Sequence, residues 1–163
     1  MGMVARGISI EMGKENRSDP ASVAVEHFEI GFNCAQAVFS AFASQHGMDE
    51  LTALKVASPF GGGVSRRGEI CGAVSGALLA LGLVRGTGTP EGKEAIYQVG
   101  QEFLHRFESI HHALRCSDLL GYDISLPEAR EKAHQVGVFK TKCPLFVRDA
   151  VMIVQAMVDE GVE

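Results

Sequence analysis

The chain has 163 residues, 46% of them hydrophobic and 21% charged, with a formal net charge of −5. That length suits one domain with its own core, and the apolar fraction excludes a wholly disordered chain. An acidic balance argues against nucleic acid as a partner. With no apolar run of about 20 residues and no basic amphipathic helix, no membrane partner is expected either.

Residues 1–18 read as a polar lead-in without the apolar core of a secretory signal, and a single helical domain is expected over 19–163. A cytoplasmic, reducing setting is expected. Asp19-Pro20 pairs a cap residue with a proline suited to the first helical turn. The helix it opens, with Val23, Val25 and Phe28, runs to Gly31. Asn33 can cap the next, whose Ala35, Val38, Phe39 and Phe42 keep helical spacing up to Gly47. Asp49 can cap a short helix that ends at Ser58-Pro59.

A glycine-rich loop then runs from Phe60 to Gly68 and leads into Cys71–Val84, apolar on all sides and expected at the centre of the fold. Gly72, Gly76 and Ala80 recur every four residues, which lets a neighbouring helix come close. Thr89-Pro90 opens a long helix with the stripe Ile96, Val99, Phe103, Phe107, Ile110 and Leu114. A short segment from Cys116 to Leu120 and a helix of about ten residues after Ser125 and Pro127 follow. Cys143-Pro144 opens the last helix, with Leu145, Val151, Val154 and Met157 or Val158 facing inward. No segment alternates with period two. The expected fold is all-α, a compact antiparallel bundle of five to seven helices around Cys71–Val84.

Several sequence signatures fail. A phosphate loop needs Lys and Ser or Thr after its last glycine, and here Gly68 is followed by Glu69-Ile70. A dinucleotide fingerprint needs a preceding strand. CxxC, CxxCH, HExxH and zinc-finger spacings are all absent. His112 stands four residues before Cys116, but an exposed polar position near a helix end is the favoured reading.

Four cysteines remain: Cys34, Cys71, Cys116 and Cys143. Cysteine commonly serves as a small buried hydrophobe. Yet Cys34, Cys71 and Cys143 fall at expected helix N-termini, where free N–H groups favour a thiolate. Cys116 falls in the turn after the long helix. Arg66, Arg67, Arg115, Lys140 and Lys142 lie near these positions in an otherwise acidic chain, modest support for held thiolates.

Phe32-Asn33-Cys34-Ala35-Gln36-Ala37-Val38, Phe60-Gly61-Gly62-Gly63, Gly68 to Gly76, Cys116 and Cys143-Pro144 together resemble the small redox-active proteins named for a C-GCAxxG-C-C pattern. The resemblance runs from about Ala24 into the last helix. One departure is that Cys71-Gly72-Ala73 places cysteine before glycine, the reverse of the label. The resemblance implies a helical protein whose four cysteines act together. Related domains look like the non-haem part of multihaem cytochromes with an iron–sulfur centre, and without a haem attachment motif no haem is expected here.

Two chemistries follow. Cys34, Cys71, Cys116 and Cys143 can carry thiol redox or electron transfer, with Cys71 as the attacking thiolate, its pKa lowered by its helix end and by Arg66 and Arg67. Alternatively the same four hold an iron–sulfur cluster or zinc. A third reading is a helical interaction protein with incidental thiols. The four cysteines are expected to converge beside Gly61–Gly68, in a chain that forms a homodimer and meets an unidentified redox partner.

Overall fold

Helix starts are set by caps that the sequence spells out. In the computed structural model, which describes residues 19–161, the Asp19 carboxylate accepts from the Ser22 N–H at 3.1 Å and Pro20 takes the first turn of α1 (Pro20–Glu29). The polar lead-in expected over residues 1–18 lies outside the described residues. Asn33 opens α2 (Cys34–Ala43) with a reciprocal box: its side chain accepts from the Gln36 N–H, and the Gln36 side chain accepts from the Asn33 N–H, both at 3.0 Å. Asp49 caps α3 (Glu50–Ala57) through the Thr52 N–H at 2.9 Å. Each such cap contributes about 1 kcal/mol by satisfying an orphan donor.

Five further helices complete the described chain: α4 (Gly72–Arg85), α5 (Lys93–His111), α6 (Cys116–Leu120), α7 (Pro127–Gln135) and α8 (Val138–Glu160). The fold is all-α. Among the described residues the only β-type pairing is an isolated antiparallel bridge between Ile70 and Arg115. Among the described residues the helices number eight, not five to seven, because short α3 and five-residue α6 are closed elements of their own. No helix is long and apolar enough to cross a membrane, among the described residues.

The centre of the fold is α2, and the expectation that Cys71–Val84 occupies it is corrected. Every α2 residue from Ala37 to Ala43 is buried, because α1, α3, α4 and α8 all pack against it. On α4, Gly82 is exposed and Leu78, Leu79 and Leu83 are only half-buried. Apolar composition on every side did not amount to burial on every side.

The small-residue stripe on α4 does bring a helix close. A Cβ on Gly76 would stand 2.6 Å from the Ala35 carbonyl oxygen, and one on Gly72 would stand 3.1 Å from Cys34 Cβ. These contacts align the N-terminal turns of α2 and α4 side by side. The two helices leave them in the same sense, so this pair is not antiparallel. Elsewhere, Val99, Phe103 and Phe107 of α5 are buried as expected, whereas Ile110 is exposed. On α8, Val151, Val154 and Met157 face the core and Leu145 faces out.

The last helix begins at Val138, after Gly137, rather than at Cys143-Pro144. Pro144 therefore sits inside a helix, where it has no N–H for the carbonyl of Lys140; an interior proline costs about 3 kcal/mol. The Thr141 hydroxyl braces the turn before it by donating to the carbonyls of Gly137 and Val138, each at 3.3 Å. At the other end of the core, His27 ties three helices: its Nδ1 is 2.8 Å from Ser40 Oγ and its Nε2 is 3.2 Å from Glu50. Ser40 is buried in mid-helix, so this cluster reads as a structural tie.

Candidate functional site

Four separate stretches of chain deliver the four cysteines to one cavity of about 900 Å³. Cys34 is the first residue of α2, and Cys71 is the cap residue of α4. Close packing at Gly72 sets these two next to each other. Cys116 is the first residue of α6. It is joined to Cys71 by the small bridge: the Cys71 N–H donates to the Leu114 carbonyl at 2.9 Å, the Cys116 N–H to Glu69 at 2.6 Å, and the Ser117 N–H to Gly68 at 3.1 Å. Cys143 comes from the interior of α8, one residue before Pro144.

The sequence expectation of which cysteines begin helices is thus half exchanged. Cys34 and Cys71 begin helices as expected, Cys116 does so as well, and Cys143 does not. His112 is exposed in a left-handed conformation that ends α5, so it shares no helical face with Cys116.

Between α3 and α4 the backbone turns the wrong way for L-amino acids. Gly62, Gly63, Val64, Ser65 and Arg66 all have positive φ, from 51° to 65°. A left-handed conformation costs roughly 1–2 kcal/mol per non-glycine residue, and for a β-branched residue such as Val64 it is a clear outlier. The turn closes by hydrogen bonds across its own span, Gly68 N–H to Gly62 and Glu69 N–H to Gly63, at 3.2 and 3.0 Å. Gly63 is pressed so close that a Cβ there would stand 2.7 Å from Cys116 Cβ. Strain of this kind collects at functional sites.

The thiols are free and largely removed from solvent: Cys71 is 3% exposed, Cys116 and Cys143 6%, and Cys34 more open. Burial pushes the Cys71 thiol up to about 12, although the N–H groups of Ala73 and Val74 at the start of α4 pull it down. Burial also raises Cys116, with the neighbouring Cys71 and Cys143 adding to the effect. The contact between the Cys34 and Cys143 thiols divides that pair: it raises Cys34 and lowers Cys143, in the latter against the opposing effect of burial.

Cys143 is the one thiol of the four that its surroundings push down, whereas Cys71, expected as the attacking thiolate, is pushed up by burial. Removing a thiolate from water outweighs the partial charge of a helix end. The nearby basic residues do not act as expected either. The Lys142 ammonium donates to the carbonyls of Leu119 and Leu120 at 3.2 and 3.4 Å, and Arg115 pairs with Glu69 at 3.4 Å. Arg66 lines the cavity but does not lower the Cys71 thiol.

The sequence reading missed the cavity wall. Phe28, Phe139 and Phe146 line it, with Leu119, Leu120 and Ile124. Phe139 and Phe146 stand one helical turn to either side of Cys143, and Leu119 and Leu120 one turn after Cys116, so helical spacing around each cysteine is the signal that marks them.

Neither the curated proteins nor the solved structures include a match to the chain. One family model does match, over residues 32–157, and its description reads "Putative redox-active protein (C_GCAxxG_C_C)".

Proposed function

Because the chain belongs to that redox-active C_GCAxxG_C_C family, we propose that its four thiols form the redox centre and that Cys34 and Cys143 are the reacting pair. The observation that carries this reading is that Cys34 and Cys143 line one cavity as close neighbours, a contact that raises the Cys34 thiol and lowers that of Cys143. It selects one sulfur as thiolate and leaves the other protonated beside it, the asymmetry a dithiol exchange needs.

The step balances with a disulfide as oxidant. The Cys143 thiolate bonds to one sulfur of the substrate disulfide, whose S–S bond breaks, and the other half leaves as a thiolate. Cys34 gives that thiolate its proton, then attacks Cys143 and releases the second half as a thiolate. One substrate thiol and one thiolate, which takes its proton from water, are produced and the Cys34–Cys143 disulfide is formed. The test is brief exposure of fully reduced protein to a small disulfide, followed by alkylation and peptide mass mapping. A Cys34–Cys143 bridge is expected; four thiols that stay free and alkylatable would reject the reading.

A second reading has its own support, since a dithiol needs only two of the four cysteines. Cys71 and Cys116 line the same cavity, and four thiolates are a fitting donor set for zinc or an iron–sulfur cluster. A bound cation would relieve the repulsion that mutual proximity imposes on the thiolates. Metal and sulfide analysis of protein purified without oxygen separates the two: a stoichiometric metal held by all four cysteines supports the second. Self-association into a homodimer, expected from the sequence, is tested by light scattering, where a monomer mass removes it.

A further inference from the structure

We infer that the thiol cavity takes small disulfides bearing an anionic group, which Arg66 and Arg130 hold at the rim. This rests on the dithiol reading above. Both arginines line the thiol cavity and also a second, more polar hollow that adjoins it. They stand at the boundary between an apolar chamber holding the sulfurs and a charged antechamber.

The antechamber gathers Arg66, Arg67, Arg115 and Arg130 in a chain whose net charge is −5. The carboxylates facing it are Glu69, Asp118 and Asp123, and Glu131 faces the thiol cavity. Among the described residues, Arg115 alone of the four guanidiniums pairs with a carboxylate, that of Glu69. Among the described residues Arg66, Arg67 and Arg130 have no carboxylate within 4 Å. An arginine fork without a carboxylate partner is suited to capture of a carboxylate or phosphate.

Backbone strain is what puts Arg66 there. It is the last residue of the positive-φ run, at φ 65°, and its stem folds back over Gly62, where a Cβ would stand 3.1 Å from Arg66 Cγ. Arg130 is anchored independently, its Nη1 donating to the Ile124 carbonyl at 3.1 Å, and Ile124 is a wall residue of the thiol cavity. A substrate with an apolar disulfide body and a charged end would lay the disulfide toward Cys143 and the anion between the two arginines.

Three disulfides of similar size test this: 3,3′-dithiodipropionate (anionic), bis(2-hydroxyethyl) disulfide (neutral) and cystamine (cationic). Each rate of oxidation of the reduced protein is divided by that disulfide's rate with free 2-mercaptoethanol, which removes differences in leaving group. The normalised rates are expected to fall from anionic to neutral to cationic, spanning about tenfold or more at low salt and narrowing at high salt. Arg66→Ala and Arg130→Gln should each compress the spread, with Arg66→Lys and Arg130→Lys keeping part of it. The wild-type order does not depend on any variant folding. Equal or reversed normalised rates would overturn the inference while leaving the dithiol reading intact. No reaction with any of the three would reject the dithiol reading, and the inference with it.

Discussion

Replacing Gly63 by alanine should be among the most damaging single-methyl additions available to this protein. At φ 63° the alanine is held left-handed, a cost of about 1–2 kcal/mol. Its Cβ would also stand 2.6 Å from Glu69 N and 2.7 Å from both Glu69 O and Cys116 Cβ. Two of these three neighbours are backbone atoms of the bridge that carries Cys116, so they cannot swing aside, and overpacking of this kind costs about 1–3 kcal/mol more. The sum, about 2–5 kcal/mol, is a large share of the 5–15 kcal/mol by which domains are typically stable. Gly62→Ala is the control. It has the same φ of 63°, but its nearest neighbour is the flexible stem of Arg66 at 3.1 Å, so only the conformational part applies. Urea unfolding with unchanged slope should place Gly63→Ala about 1–3 kcal/mol below Gly62→Ala. Equal stabilities would refute the claim that the glycine loop is pressed against the Cys116 bridge.

Other perturbations follow from the same geometry. Cys34→Ala removes the contact that lowers Cys143 and leaves burial unopposed, so the pH midpoint for alkylation of Cys143 should move up from below to above the ordinary thiol value; an unchanged midpoint would break the pairing. Cys71 ionises near 12 in the folded protein and near 8.5 when unfolded, so across that window the unfolded state binds fewer protons and stability falls as pH rises. Cys71→Ala should make this alkaline decline shallower by about 1.4 kcal/mol per pH unit, read from urea curves at pH 9.5, 10 and 10.5. Gly82→Ala, with nothing within 4 Å on an exposed helical face, should stabilise by about 0.5–1 kcal/mol. Gly76→Ala on the same helix meets Ala35 and should destabilise; thermal melts of the two variants moving in the same direction would contradict the α2–α4 contact.

Local signals were readable wherever a residue acts on its own neighbours. Asp19, Asn33 and Asp49 each cap the helix expected of them, because a cap is a contact within three residues. Legibility ended where distant chain decides. Cys143-Pro144 resembles a helix start, yet α8 begins five residues earlier at Val138, since burial of Val138 and Cys143 before the proline and of Phe146 and Val147 after it holds the proline inside. Val64, Ser65 and Arg66 have no residue preference for positive φ, so the left-handed turn could not be read from them. The gathering of the cysteines was foreseen, but their order of acidity was not. Proximity to a helix end is a local property, and the depth of burial that dominates it belongs to the completed fold.

The Cys34–Cys143 contact joins positions more than a hundred residues apart, and α8 supplies both Cys143 and part of the cavity wall. During synthesis, Cys34, Cys71 and Cys116 leave the ribosome first and wait as ordinary exposed thiols for the segment that completes their enclosure. In that interval Cys71 and Cys116 ionise far more readily than they ever do in the finished protein, so the nascent chain is the form most open to mis-pairing by oxidants. Folding then makes Cys34, Cys71 and Cys116 harder to ionise while leaving Cys143 responsive.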